Sequence, residues 1–202
     1  MVWAKNGTET LTSASLDLDL GVSTALTKYK FSTLMYHVIN DGTGSSNDSA
    51  PAITFDNVGT ASYANRVSEN GASDSTFTSQ NLQYLTYNTV KDDFFSVVYI
   101  CAIDGEEQLM QSWTVDANSS GAGTAPTRNE SINKYTGTSQ FTRVDNYNNR
   151  GTTVGYEYDT NSNATILGSD GVEELNVQDG AIYYDTDLNK EYVLYNNTWT
   201  EV

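Results

Sequence analysis

The sequence predicts an all-β fold, a jelly-roll-like antiparallel β-sandwich followed by a small C-terminal β-hairpin module. Short apolar stretches recur at intervals of roughly ten residues between turn-rich segments, a spacing typical of sandwiches and jelly rolls. Asn, Ser and Thr make up about a third of the chain, and Pro occurs only 2 times, which is a β-protein composition. No segment of helical length carries apolar residues at i, i+3, i+4 and i+7.

Three segments define the predicted strands most clearly. Ser15–Leu20 alternates leucine with aspartate, so its leucines share one face and the strand is half-buried. Phe31–Ile39 and Phe94–Ile103 are continuous apolar runs, which predicts central strands covered on both faces. Further strands are expected at 2–5, 8–12, 51–56, 62–68, 81–88, 129–136, 139–147 and 153–158.

A hairpin is predicted where Asp104-Gly105 separates Phe94–Ile103 from Gln108–Val115. Asp-Gly between two apolar runs is a strong hairpin signal because Gly adopts positive φ without strain.

The composition changes after Tyr158, where the chain becomes polar and rich in Gly, Asn and Asp. We therefore predict a β-sandwich domain over residues 1–160, and a linker with an aromatic β-hairpin module over 161–202. Ala181–Tyr184 and Glu191–Tyr195 are the two strands of that hairpin, and Trp199 follows them. An isolated hairpin is marginal in water, so we expect it to pack on the main domain or on another subunit.

The net charge and the lack of long apolar segments exclude several classes of function. The formal net charge is -16 at pH 7, so the surface repels phosphate and we expect no nucleic-acid partner. The segment MVWAKNGTET has no apolar signal-peptide core, and no apolar run reaches the roughly 20 residues that span a bilayer. We expect neither membrane insertion nor classical export. With 1 Cys, no internal disulfide can form, and synthesis in a reducing cytoplasm is expected.

The residues that nucleophilic catalysis would use are predicted to serve packing. His37 and Cys101 each lie inside a predicted central strand, and a catalytic role needs an exposed cleft. Acidic pairs such as Glu106-Glu107 would point to opposite faces of a strand, whereas a glycosidase needs two facing carboxylates. No catalytic residue is assigned.

A calcium loop is the one metal site that the sequence offers, and no other cofactor is expected. Asp159, Asn161, Asn163, Ile166 and Asp170 occupy positions 1, 3, 5, 8 and 12 of an EF-hand-like register. Position 6 is not Gly, the last position is not Glu, and no helices flank the loop. An Asx-rich turn is therefore the main alternative to a weak Ca²⁺ site.

The aromatic residues offer the best binding chemistry, since Tyr accounts for 14 of the 202 residues. Tyr and Trp rings can stack on sugar rings while neighbouring polar groups bind hydroxyls. The same rings also stabilise sheets by cross-strand packing. The candidate glycan-binding residues cluster near the C-terminus and are Tyr183, Tyr184, Tyr192, Tyr195 and Trp199.

Two stretches of the predicted sandwich resemble small structural proteins of tailed bacteriophages, particularly those of marine samples. They are Ser62–Asp74 and Gly121–Glu130, the latter continuing through Phe141–Asp145 to Ile166–Gly168. The segment Gly180–Val202 resembles a short hairpin element of many phage fibre proteins.

The resemblance implies a β-sandwich subunit, commonly in homotrimers, displayed on the virion as a capsid decoration, head fibre or tail-associated protein. It implies no catalytic residue. The partners are then other virion proteins of capsid or tail, and the chain is made in the host cytoplasm. The alternative function is a tail-associated receptor-binding fibre or carbohydrate-binding module that recognises host surface glycans. A glycan-degrading enzyme is a third hypothesis.

Overall fold

The computed structural model describes residues 3–13, 17–21, 30–39, 51–87, 93–118, 121–147, 163–169, 180–186, 188–196 and 198–202. Every regular element in these ranges is a β-strand, and the strands pair antiparallel. The predicted all-β antiparallel sandwich is confirmed.

Fifteen strands follow one another along the described chain. They are β1 (Ala4–Thr10), β2 (Asp17–Gly21), β3 (Phe31–Val38), β4 (Ala52–Phe55), β5 (Tyr63–Glu69), β6 (Ser75–Gln80), β7 (Gln83–Tyr84), β8 (Phe94–Cys101), β9 (Gln108–Asp116), β10 (Thr127–Tyr135), β11 (Arg143–Tyr147), β12 (Asn163–Ser169), β13 (Ile182–Asp185), β14 (Lys190–Tyr195) and β15 (Thr198–Glu201).

Two sheets form the sandwich. The larger has eight strands in the order β1-β12-β3-β8-β9-β10-β5-β6, and the smaller has four in the order β2-β11-β4-β7. Their facing apolar side chains form one core, because a sheet gains stability by burying its apolar face against another layer. The core takes Leu18, Leu20, Ile53, Phe55 and Val144 from the small sheet, and Leu34, Tyr36, Val38, Tyr63, Phe94, Val98, Ile100, Met110, Ala164 and Ile166 from the large one.

The interior is polar near β7, where side chains of the large sheet bind a neighbouring backbone. The Asn65 amide donates to the Leu82 carbonyl at 3.1 Å and accepts from the Tyr84 N–H at 3.1 Å. Ser131 and Asn133 donate to the Tyr84 carbonyl at 2.7 and 3.3 Å. These side chains take the place of a neighbouring strand, so backbone groups that would otherwise be buried without partners are satisfied.

The predicted hairpin between the two apolar runs is confirmed, with a longer connection than the Asp-Gly signal suggests. β8 ends at Cys101 and β9 begins at Gln108, so six residues connect the paired strands instead of two. Glu106 N–H donates to the Ile103 carbonyl at 3.1 Å, and Gly105 has a φ of 85°. The Asp104-Gly105 pair thus forms the centre of a turn with Gly at its third position, a type II arrangement.

Several strand boundaries differ from the predicted ones. The predicted strands 2–5 and 8–12 are one strand, β1, with a register shift between Lys5 and Gly7. Of the predicted strand 81–88, the structure describes 81–87, and within that part only Gln83–Tyr84 is a strand. The polar segment Ser75–Gln80 forms the unpredicted β6. The predicted strand 153–158 lies outside the described residues.

The chain divides into two compact units, Val2–Gly171 and Val172–Val202. Residues 163–169 fall in the predicted linker, yet they form β12 and pair with both β1 and β3. The division therefore falls about ten residues beyond the predicted boundary at 160, because a strand of the large sheet lies there.

The C-terminal unit is a three-stranded antiparallel sheet in the order β13-β14-β15. The predicted strands Ala181–Tyr184 and Glu191–Tyr195 correspond to β13 and β14, and Trp199 lies on a third strand. Asn189 adopts a φ of 54° in the turn between β13 and β14, which Asn tolerates better than most residues.

Candidate functional site

The most unusual surface of the main unit is the side of the large sheet that faces away from the core. We call the outward side chains of β3, β8 and β9 the outer face. Four positions on each strand contribute to it: Phe31, Thr33, Met35 and His37; Phe95, Val97, Tyr99 and Cys101; Leu109, Gln111, Trp113 and Val115. Not one of these side chains carries a carboxylate, an ammonium or a guanidinium group.

The register aligns the outer face into continuous apolar rows. Trp113 lies directly opposite Val97, and Val97 lies opposite Met35. Phe95 lies opposite Val115 in the next row. Directly opposed residues of an antiparallel pair bring their side chains together on one face of the sheet, so these rings and branched chains form one surface.

This surface is exposed although it has the composition of a core. Leu109 is 55% exposed, Tyr99 50% and Trp113 43%. The inward side of β9 is largely polar, with Gln108, Ser112 and Thr114 fully buried. The alternation of β9 is thus reversed relative to a half-buried strand, which would place its polar residues outside.

The continuous apolar runs predicted central strands covered on both faces, and this interpretation needs a correction. β3 and β8 are neighbours in the middle of the large sheet, and their inward residues are buried. Their outward residues Phe31, Phe95 and Tyr99 are 39–50% exposed. Among the residues that the structure describes, the inward face of each strand is buried and the outward face is partly exposed.

A row of ion pairs borders the outer face along β10 and β5. Lys134 contacts Glu107 at 2.8 Å, Arg128 contacts Glu130 at 3.3 Å, and Arg66 contacts Asp74 at 3.1 Å. All six side chains are at least one third exposed, so each pair contributes little to stability. Their effect is to make this border nearly neutral in a chain of net charge -16.

His37 and Cys101 lie on the outer face, at opposite ends of it. His37 is opposite Phe95, while Cys101 is opposite Phe31 and Leu109. Six residues of strand separate the two rows, about 20 Å at the rise of a β-strand. The two side chains therefore do not form a catalytic pair with each other.

The five candidate glycan-binding residues divide between the two faces of the C-terminal sheet. Tyr183 lies opposite Tyr192, and Trp199 lies opposite Leu194. The Tyr183 ring contacts Tyr192 with centroids 6.1 Å apart, and contacts Trp199 edge-on at 5.9 Å. We call Tyr183, Tyr192 and Trp199 the aromatic cluster.

Tyr184 and Tyr195 lie on the reverse side, since alternate residues of a strand point to opposite faces. Tyr184 is 52% exposed and donates its hydroxyl to Asn189. Tyr195 lies opposite Thr198. Sequence proximity thus groups residues that the sheet separates into two sets.

Polar groups accompany the aromatic cluster on its face. Lys190 Nζ contacts Glu201 Oε2 at 2.7 Å, and Glu201 lies opposite Tyr192. The Glu201 carboxylate raises the pKa of Lys190 by accepting its hydrogen bond. An exposed ring cluster beside a carboxylate and an ammonium group has the chemistry to stack on a sugar and bind its hydroxyls.

The predicted calcium ligands are largely outside the described residues, which include neither Asp159, Asn161 nor Asp170. Asn163 begins β12, where its backbone pairs with Thr10 and His37. Residues 163–169 run as an extended strand with Ile166 in the core. Among the residues that the structure does describe, no group of three or more His, Cys, Asp and Glu is placed to hold a metal ion.

The small sheet contains a pair of carboxylates that was not predicted from the sequence. Asp19 on β2 and Asp145 on β11 lie directly opposite each other. Arg143 contacts both of them, and the Asn57 N–H donates to Asp145 at 2.7 Å. Asp145 is 1% exposed. Burial raises the pKa of Asp145 to about 6, with a further rise from Asp19, against the lowering effects of Asn57 and Arg143.

Among the described residues, no helix has the length and hydropathy to cross a bilayer. Comparisons with known proteins give no relative: no family model, no curated protein and no solved structure matches the chain.

Proposed function

We propose that this protein is a non-enzymatic structural subunit of a tailed-bacteriophage particle, a capsid decoration or head-fibre protein displayed on the surface of the virion. The observation that carries the proposal is the arrangement of the two phage-like stretches. Ser62–Asp74 contains β5, and Gly121–Glu130 leads into β10, the strand with which β5 pairs. Stretches that are distant in sequence therefore form one structural element.

That element is held by turn chemistry. Asn70 and Gly71 have φ values of 53° and 77° at the end of β5. The Asn70 N–H donates to the Arg128 carbonyl at 2.8 Å, and Asn70 Oδ1 accepts from the Arg128 N–H at 3.0 Å. Turn residues of this kind stabilise the fold and take no part in chemistry. Such a structural role is what we expect of segments common to a group of particle proteins.

Surface properties support the same function. Net negative charge keeps subunits soluble at the high local concentration of a particle. The outer face offers an uncharged apolar surface of the kind through which subunits assemble. A β-sandwich with such a face suits a subunit that docks at one surface and exposes another to the medium.

Immunogold labelling of particles from an infected-cell lysate tests the proposal. Antibody against this chain should place gold on the virion in negative-stain electron micrographs, over the capsid for a decoration or head-fibre protein. Pre-absorption of the antibody with purified protein is the control and should remove the label. Particles without label would overturn the proposed function, and label at the tail would favour the second candidate.

The second candidate function, recognition of host surface glycans by a tail-associated fibre or carbohydrate-binding module, is favoured by the aromatic cluster. Tyr183, Tyr192 and Trp199 share one face of the C-terminal sheet, and Tyr183 and Trp199 are 50% and 42% exposed. Flat, partly exposed rings bind sugars by stacking, and each such contact contributes about 1 kcal/mol.

An array of bacterial surface oligosaccharides, probed with the labelled full-length protein, tests this candidate. Trp199→Ala and Tyr183→Ala should each weaken binding about fivefold, as loss of one stacking contact predicts. Tyr195→Ala, on the reverse side of the sheet, is the matched control and should bind as the wild type does. Equal binding by all variants, or an equal loss for Tyr195→Ala, would contradict the assignment.

A further inference from the structure

The outer face differs from the rest of the chain in charge and in composition. The chain carries 26 Asp and Glu residues, yet none of the twelve outward positions of β3, β8 and β9 is Asp, Glu, Lys or Arg. Phe, Tyr, Trp and Met are enriched and charged residues are depleted, which is the compositional signature of the centre of a protein interface. Monomeric proteins rarely expose apolar patches larger than a few hundred Å².

The outer face together with its two flanking strands has the size of a stable interface. Strands about 4.8 Å apart, with outward side chains every ~6.8 Å, give β3, β8 and β9 a flat footprint of roughly 390 Å², and the flanking strands β12 and β10 extend it to roughly 650 Å². A standard interface buries about 800 Å² of accessible surface on each partner, and accessible area exceeds the flat footprint. The outer face and its flanking strands can therefore hold a partner.

We propose that the outer face packs against the outer face of a second copy of this chain. The inference rests on the proposed function and deepens it, since it names the surface through which the subunits assemble. Two flat sheets with complementary apolar side chains pack about 10 Å apart, as the layers of a sandwich do. A surface that contacts its own copy needs to be self-complementary, which an uncharged face satisfies more easily than a charged one.

Charge favours a second copy over other occupants. Two chains of net charge -16 repel each other, so they can approach closely only where acids are absent, as on the outer face, or balanced, as at its border of ion pairs. A strongly charged partner finds no complementary groups among the twelve positions. An anionic lipid surface repels an acidic chain.

A matched pair of tyrosine variants tests the proposal by sedimentation equilibrium of the full chain. Tyr99 on the outer face and Tyr184 on the C-terminal sheet are 50% and 52% exposed, so glutamate meets similar solvent at both in the single chain. The wild type should sediment at twice the chain mass of 22.1 kDa, because two identical faces that cover each other form a dimer. Tyr99→Glu should weaken association about 100-fold or more, because a carboxylate would be buried without a partner. Tyr184→Glu should keep the wild-type mass.

Leu109→Lys is a second variant, which places a charge of the opposite sign on the same face, and it should dissociate the assembly as Tyr99→Glu does. Circular dichroism shows whether each variant keeps the β-sheet spectrum. A wild type that is monomeric at all concentrations would overturn the inference, even if it binds another virion protein. Retention of the wild-type mass by both folded outer-face variants would also overturn it. Gold-labelled particles together with a monomeric chain would leave the proposed function standing while this inference fails.

Discussion

Asn70 and Arg128 hold each other by two hydrogen bonds, one from each backbone N–H, across the end of the β5–β10 pair. Asn70 sits in the left-handed region with a φ of 53°, and its side-chain oxygen serves as the second acceptor. This connection joins Ser62–Asp74 to Gly121–Glu130. It explains why Asn suits this position, since few other residues combine tolerance of positive φ with a side-chain acceptor.

Substitution of Asn70 should separate the contribution of its positive φ from that of its side-chain hydrogen bond. Asn70→Ala loses the side-chain acceptor and puts a Cβ-bearing residue without compensation at positive φ, so the free energy of unfolding should fall by about 1–2 kcal/mol. Asn70→Gly keeps the backbone conformation and should lose less. Urea unfolding followed by fluorescence measures both, and equal losses for the two variants would contradict the conformational part of the explanation.

Gly7 should be intolerant of a side chain. A Cβ at Gly7 would lie 2.5 Å from the Gly21 carbonyl oxygen, whereas a Cβ at Gly21 meets nothing within 4 Å. Gly7→Ala should therefore lower the free energy of unfolding by about 1–3 kcal/mol, the usual cost of overpacking. Gly21→Ala is the matched control and should change it by less than about 0.5 kcal/mol. Thermal unfolding of the two variants checks this, and equal stability of both would contradict the close approach of β1 to β2.

Asp145 should make stability depend on pH. Its pKa is raised from 3.8 to about 6, first by burial and then by Asp19. Between these values the native chain holds a proton that the unfolded chain has released, so the free energy of unfolding falls as pH rises and levels off above about 6. Asp19→Asn removes the neighbouring carboxylate, lowers the pKa of Asp145 and should make this fall smaller.

The comparison needs urea unfolding of the wild type and Asp19→Asn from pH 3.5 to 7.5, at one chain concentration. As pH rises from 3.8 to about 6, the free energy of unfolding of Asp19→Asn should increase by on the order of 1 kcal/mol relative to that of the wild type. Parallel pH profiles for the two proteins would mean that Asp19 does not act on the Asp145 carboxyl group.

Cys101 is the single cysteine of the chain, and its side chain points outward on β8. The rate at which its thiol reacts therefore measures whether the outer face is covered. In an assembled protein, the second copy should cover it and slow its reaction with a maleimide reagent. Tyr99→Glu should react about tenfold faster or more, as expected when the covering surface dissociates. Tyr184→Glu should react at the wild-type rate. Equally fast labelling of the wild type and Tyr99→Glu would show that this face is uncovered in solution.

Local sequence patterns predicted the elements whose partners lie within the chain. The alternation of Ser15–Leu20 correctly placed Leu18 and Leu20 in the core and Asp19 outside. The runs that contain β3 and β8 correctly indicated strands in the middle of a sheet. Period-two patterning reports which face of a strand is buried, so these features follow from the sequence.

Other features depend on contacts that sequence patterns do not record. Asn65, Ser131 and Asn133 look like surface residues, yet they are buried because their side chains bind the backbone of Leu82 and Tyr84. An apolar run likewise predicts that both faces of a strand are covered without showing what covers them.

The candidate site was predicted only in part, because proximity in sequence does not show which side chains share a face of a sheet. Clustering of aromatic residues near the C-terminus suggested one set of five, and strand register divides it into the aromatic cluster and a reverse side with Tyr184 and Tyr195. Register depends on the turn at Asn189 and on cross-strand pairing. The outer face could have been detected from β9, where Ser112–Val115 alternates polar and apolar residues, but alternation does not say which set faces the core.

Quantitative mass spectrometry of gradient-purified particles tests the central claim, that this chain is a structural component of a virion. Peptides of this chain should co-sediment with the major capsid protein, in many copies per particle and at a constant ratio across the particle peak. Peptides that stay in the soluble fraction, or whose ratio to the capsid protein varies across the peak, would contradict it.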